Sequence, residues 1–120
     1  MSKAFVLVAH GSRKDESNHE IIAFTQQLQP ALAGHFKTIC HAFLELCEPD
    51  LHARLEQLIT EGVHSVTLFP FFLAAGKHVR HDLPDLVAEL KQKYPHCEFV
   101  LLEHLGKQSG LVKLIQEAVL

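Results

Sequence analysis

Cysteine is scarce in this chain: three residues, Cys40, Cys47 and Cys97, an odd number with no C-x-x-C pair. That argues against both a disulfide framework and a thiolate zinc site, and points to free thiols in a reducing compartment. A basic surplus is also missing. Lys and Arg total 11 against 14 Asp and Glu, a formal charge of -3, which argues against a general nucleic-acid binder. No apolar run approaches the length of a membrane span, and the N-terminus lacks the apolar stretch of a secretory signal, so a cytoplasmic protein is expected. There is no linker, repeat or low-complexity segment, and Trp is absent. What is present is an ordinary globular composition, 48% hydrophobic over 120 residues, enough for one domain spanning 1–120. Ten His are scattered along it, the side chain that titrates near neutrality and most often ligates metals.

Two kinds of segment alternate. Short apolar runs at Phe5–Ala9, Thr38–Leu44, Val66–Phe69 and Phe99–Leu102 read as strands. The first and last lack polar alternation, the pattern of a parallel sheet covered on both faces. Between them, Ile21, Phe24, Leu28 and Leu32 fall at helical spacing, with Pro30 predicting a kink or an early end near Gln29. Pro49 suits the first turn of a second helix, carrying Leu51, Leu55, Leu58 and Ile59 and ended by Gly62. Asp82 is expected to cap a third, with Leu86, Val87 and Leu90 on its stripe and Pro95 as its stop. Leu111, Leu114, Ile115 and Ala118 make a fourth. Strand-helix alternation with right-handed crossovers gives an α/β domain with a four-stranded parallel sheet, order 2-1-3-4, and helices on both faces.

Ligands of such sheets bind beyond the carboxyl ends of the strands, where strand order reverses. The first strand runs into His10-Gly11-Ser12-Arg13, and Gly11 frees the backbone to turn close to a ligand. The second brings Glu45 to the same edge, and the third leads through Pro70 and Phe71-Phe72-Leu73 to Gly76-Lys77-His78. With neighbouring strands ~4.8 Å apart, His10, Glu45 and His78 converge. Two imidazoles and a carboxylate suit a divalent transition metal and can also accept protons near neutral pH. Ser12, Arg13, Lys77 and Arg80 are the candidates for holding acidic groups of a substrate.

Plainer readings stand beside these. Glu45 also suits a helix entry, and His78 and the basic residues a solvated surface. Glu45 is an acid inside an apolar run, which would be costly if buried without a partner. His81 precedes the expected third helix and could serve only its N-terminus, His104 follows a strand as a weaker site candidate, and the role of His41 is open. His19, His35, His52, His64 and His96 read as surface residues, and Cys47 as a packed thiol. Phe71 and Phe72 read as core, as a platform for a flat ligand, or as a contact between subunits.

The stretches Leu7–Arg13, Ala42–Glu45, Pro70–Leu73 and Gly76–Pro84, in this order and each at an expected strand end, resemble the short sirohydrochlorin cobaltochelatases of the CbiX type, relatives of the sirohydrochlorin ferrochelatases and of short nickel chelatases. The resemblance covers about Ala4 to Gly106. It implies a chelatase-like, flavodoxin-like α/β fold and ATP-independent insertion of a divalent metal, Co²⁺ first and Fe²⁺ or Ni²⁺ as alternatives, into sirohydrochlorin. It implies no permanently bound cofactor, no membrane or nucleic-acid partner, and a homodimer that builds the cleft the longer relatives form from two halves. It assigns His10 and His78 as metal-binding and catalytic residues and Glu45 as the accompanying acid. Two other classes compete. One is a cobalt or nickel carrier without catalysis. The other is a histidine-phosphatase-like enzyme, although those place an Arg before the His where this chain has Ala9.

Overall fold

The computed structural model describes residues 2–120, except the side chains of Lys77 and His78. Four strands and four main helices alternate: β1 (Lys3–Ala9), α1 (Asp15–Leu32), β2 (Thr38–Phe43), α2 (Leu51–Thr60), β3 (Ser65–Pro70), α3 (Lys77–Lys93), β4 (Glu98–Leu101) and α4 (Gly110–Val119), with a single 3-10 turn at Leu105–Lys107 before α4. The strands form one sheet in the order β2-β1-β3-β4, every pair parallel, as the apolar runs predict. Among the described residues no helix is long and apolar enough to cross a membrane.

β1 is central, and its residues from Ala4 to Ala9 are buried without interruption. Its register sets Leu7 opposite His41 on one side and Phe69 on the other. Alternation then divides its side chains between two layers. Ala4, Val6 and Val8 join Ala42, Val66 and Leu68 in a core closed by Leu51, Leu55 and Leu58 of α2 and Val79, Leu83 and Leu90 of α3. Phe5 and Leu7 face the other way, and with Phe24, Leu28 and Leu32 of α1 they border an all-apolar cavity of about 240 Å³.

Three helix boundaries differ from the sequence reading. α1 runs past Pro30 to Leu32. The proline falls in the last turn, where its missing N–H frees the carbonyl of Gln26, an exposed residue that water can satisfy. α2 starts after Pro49, with Asp50 as its cap; the Asp50 carboxylate accepts from the Ala53 N–H at 3.1 Å. α3 begins at Lys77, five residues before Asp82, behind a glycine cap, Gly76, that makes no side-chain bond. The stops hold as read: Gly62 follows α2 with φ +103°, and Tyr94 then Pro95 end α3.

Leu55 is fully buried under the sheet. Leu55→Ala is expected to cost roughly 2–5 kcal/mol, read as a lower urea midpoint with an unchanged slope. A second outcome concerns pH. Burial, and then the Arg54 guanidinium, hold the His41 imidazole below its ordinary value near 6.5. The unfolded chain therefore takes up a proton at a higher pH than the folded one. The stabilisation from neutral His41 is complete above about pH 6.5 and is lost as pH falls toward the folded value. Urea titrations between about pH 7 and about pH 5.5 should show a steeper loss for the wild type than for His41→Gln; equal slopes would contradict it.

Candidate functional site: a cleft at the carboxyl edge of the sheet

The β1–β2 pairing continues past the strands. The Leu44 N–H donates to the Ala9 carbonyl at 2.9 Å, and the Glu45 N–H to the His10 carbonyl at 3.0 Å. His10 and Glu45 are thereby fixed side by side beyond the ends of β1 and β2. Gly11 makes this approach possible. Its φ is +93°, and a Cβ there would stand 2.0 Å from the Glu45 carbonyl oxygen. The turn after it is held by Asn18, whose amide donates to the Ser12 carbonyl at 2.7 Å and accepts from the Ser12 N–H at 3.0 Å. The Ser12 hydroxyl accepts from the Lys14 N–H at 3.0 Å, which leaves its own O–H free to donate.

His10 and Glu45 border a cleft of about 440 Å³, walled by Leu44, Asp50, Leu51 and His52 from the β2–α2 side and by Gly76, Val79, Asp82, Leu83 and Leu86 from α3. Apolar side chains from both sides line it, and its polar side chains are imidazoles and carboxylates. The His10 ring is exposed and lies against Phe72, 4.6 Å between centroids, while Phe72 stacks on its far side with His104 at 5.9 Å. Phe72 is 8% exposed and lines a smaller cavity of about 240 Å³ that holds Arg80, Glu103 and His104 and shares Val79 and Leu83 with the cleft.

The structure brings together His10 and Glu45, as predicted. Glu45 is exposed at the rim, so the cost of burying an acid does not arise. Ser12 sits in the turn after His10, Arg13 is exposed just beyond it, and Arg80 borders the adjoining cavity. The backbone of His78 and Lys77 lies in the first turn of α3, beside Gly76 at the cleft wall, but their side chains lie outside the described residues. Among the described residues no three His, Cys, Asp or Glu side chains form a ready metal cage. Phe71 stacks on Phe24 of α1 at 4.9 Å, and Phe72 is buried between the two imidazoles, so neither aromatic ring forms an open platform. His41 alternates to the face opposite its core neighbours Cys40 and Ala42, away from the cleft. Burial pushes the Cys40 thiol up, against a smaller opposing pull from Arg54, so it stays protonated.

His52 is the residue that the sequence reading missed. It lines the cleft and joins two helices: Nδ1 lies 3.3 Å from Glu56 on α2 and Nε2 lies 3.3 Å from Glu89 on α3. Glu56 also receives Lys93 at 2.8 Å and the Tyr94 hydroxyl, and these hydrogen bonds, that of Lys93 first, hold its carboxyl below the usual range. The available signal was position: a helix that follows a parallel strand begins at the carboxyl edge, and His52 is in its first turn.

A four-stranded parallel sheet with an imidazole and a carboxylate beside a cleft at its carboxyl edge defines an α/β domain with its candidate ligand site at the switch point of the strand order. Residues 4–120 match the CbiX family, and the chain belongs to that family. It is similar to the sirohydrochlorin ferrochelatase of Priestia megaterium, 28% identical over 97% of this chain and 43% of the relative. It is also similar to the sirohydrochlorin cobaltochelatase of Sulfolobus acidocaldarius, 26% identical over 93% of this chain and 85% of that one. Among solved structures, the sirohydrochlorin chelatase SirB of Bacillus subtilis subspecies spizizenii, in complex with cobalt, superposes with a TM-score of 0.80 at 25% identity, over 99% of this chain and 50% of that chain. The chain thus spans about half the length of the longer relatives and most of the archaeal one.

The close approach at Gly11 can be tested directly. Gly11→Ala forces both a left-handed backbone and a clash with a carbonyl, and should cost roughly 2–4 kcal/mol in urea unfolding. Gly34→Ala meets nothing within 4 Å and serves as the control. Equal stability of the two variants would contradict the clamp between Gly11 and Glu45.

Proposed function

We propose that this chain is a sirohydrochlorin chelatase, inserting a divalent metal ion, Co²⁺ by preference, into sirohydrochlorin without ATP. In this reading it works in the cytoplasm as a single α/β domain paired in a homodimer. The observation that carries the reading is the placement of His10 and Glu45 together at the mouth of an apolar-walled cleft. The relatives named for chelation of cobalt or iron support it.

Metal insertion requires the ion to shed water, two pyrrole N–H protons to leave, and a flat ring to reach the ion. His10, exposed and braced by Phe72, offers one nitrogen donor. His78, in the first turn of α3, is proposed as the second. Few protein donors mean weak coordination, which favours release of the ion to the ring. In this reading Glu45, an exposed carboxylate beside His10, accepts a ring proton and passes it to solvent. The acidic side chains of the ring would meet the Ser12 hydroxyl, Arg13, Lys77 and Arg80, helped by the positive end of α3. Nitrogen and oxygen donors bind Ni²⁺ and Cu²⁺ more tightly than Co²⁺ or Fe²⁺, so the metal used in the cell is set by supply as well as by the site.

The test is an anaerobic absorbance time course of sirohydrochlorin with Co²⁺, and then with Fe²⁺ and Ni²⁺, against a blank without protein. The wild type should accelerate insertion. His10→Ala and His78→Ala should each lose about 10²-fold or more, and Glu45→Gln about 10-fold, with unchanged folding by circular dichroism. If no metal is inserted faster than in the blank by folded protein, the reading fails and a metal carrier takes its place.

A further inference from the structure

The loop between β2 and α2 carries a backbone outlier. Leu46 has φ +71°, and among the described residues it is the single non-glycine residue with a positive φ. In the left-handed region a bulky side chain crowds its own backbone, and Gly or Asn would take the position at less cost. The Cys47 N–H donates back across Leu46 to the Glu45 carbonyl at 2.9 Å, which closes a tight turn with Leu46 at its apex.

The surroundings leave this turn no slack. The Glu45 N–H is bonded to the His10 carbonyl, and the Glu45 carbonyl stands so near Gly11 that a Cβ there would meet it at 2.0 Å. The Cys47 thiol donates to the same carbonyl at 3.8 Å. On the far side the Phe43 N–H donates to the Pro49 carbonyl at 2.8 Å, and Phe43 and Asp50 form a parallel bridge, so the loop closes onto its own start. Strain of this kind persists where the surroundings over-determine it, and it gathers at ligand sites.

Folding gives nothing back for the strain. Leu46 is 55% exposed and belongs neither to the buried core nor to the half-buried shell around it. It lies one Cα step, about 3.8 Å, from Glu45, which lines the cleft. Phe71 and Phe72 at the same edge are turned to Phe24 and to the two imidazoles, so they leave the apolar part of a ligand without a surface. Leu73 is the other large apolar side chain exposed in the loops beyond β2 and β3, and its φ is not left-handed.

We propose that Leu46 is a specificity-determining residue of the cleft: its side chain lies against the hydrocarbon of the bound macrocycle and holds the ring over His10 and Glu45. The inference rests on the proposed function and names an apolar contact of that same site. Covering Leu46 on binding supplies the burial that folding withholds, and a turn that cannot yield presents the side chain already ordered. Ser12 and Arg13 address the carboxyl groups of the ring, and Leu46 its flat body.

Metal-free sirohydrochlorin is titrated into the wild type and into Leu46→Asn, Leu46→Gly and Leu46→Met, followed by its absorbance, and each protein is unfolded in urea. Asn has nearly the shape of Leu and tolerates the left-handed backbone, so it removes the apolar surface and the strain together. Leu46→Asn and Leu46→Gly are expected to bind the ring about 10-fold more weakly and to raise its KM with kcat within about twofold, while their urea midpoints do not fall. Leu46→Met should bind within about threefold of the wild type. Unchanged binding by Leu46→Asn would overturn the proposal. A fall in the urea midpoint in step with the loss of binding would overturn it too, by making Leu46 a packing residue. So would a changed mass by light scattering with binding intact, which would set another protein surface against the side chain. The wild type judges the function separately: if it neither binds the ring nor inserts metal, the proposed function fails and this contact with it, whereas a wild type that does both, matched by Leu46→Asn, sinks the contact alone.

Discussion

The parallel pairing of β1 with β2 does not stop where the strands do. Two further backbone bonds, from Leu44 to Ala9 and from Glu45 to His10, carry it out over the edge of the sheet. Because β1 is buried along its length between two neighbours, the position of His10 inherits the rigidity of the central strand. Glu45 inherits it at second hand, through the carbonyl it donates to. The glycine at 11 is what allows the chain to turn without pushing the two segments apart. A site placed in this way is positioned by backbone geometry, and its side chains remain exposed to meet a ligand.

The walls of the cleft are joined to each other independently of this ladder. His52 bridges Glu56 and Glu89, and Glu56 gathers Lys93 and Tyr94, so α2 and α3 are tied at the surface by one connected set of charges and hydrogen bonds. Each such contact is weak in water, but a shared carboxylate couples them. Below the cleft the same helices meet through Leu51, Leu55, Leu83 and Leu90, where apolar burial dominates. Phe72 adds a third constraint, packed between His10 and His104 and so linking the ends of β1, β3 and β4.

Much of this could be read from the sequence. The uninterrupted apolar run of Phe5–Ala9 left room for little but a buried parallel strand, and strand order followed from crossover rules; the equally apolar Phe99–Leu102 is only half covered, which its composition did not reveal. His10 was legible because a glycine followed it directly after a strand. Helix ends were less so where the physical signal was weak. Gly76 caps α3 without a side-chain bond, which leaves no polar residue to mark the start, and Asp82 offered a false one. Pro30 marked a break that its place in the last turn made harmless. His52 looked like one more surface histidine, because nothing local says that a carboxylate from another helix reaches it; that contact joins residues 52 and 89 and exists only once the helices are packed.

A site held by main-chain bonds makes few demands on the side chains it carries. The bonds from Leu44 to Ala9 and from Glu45 to His10 run between backbone atoms, so exchanging either side chain at the edge leaves the ladder itself intact. The position with no such freedom is Gly11, where any Cβ would meet the Glu45 carbonyl. The frame and the chemistry it displays are therefore separable: donors at 10 and 45 can be swapped one at a time on an unchanged scaffold, provided the residue between the two segments stays the smallest one.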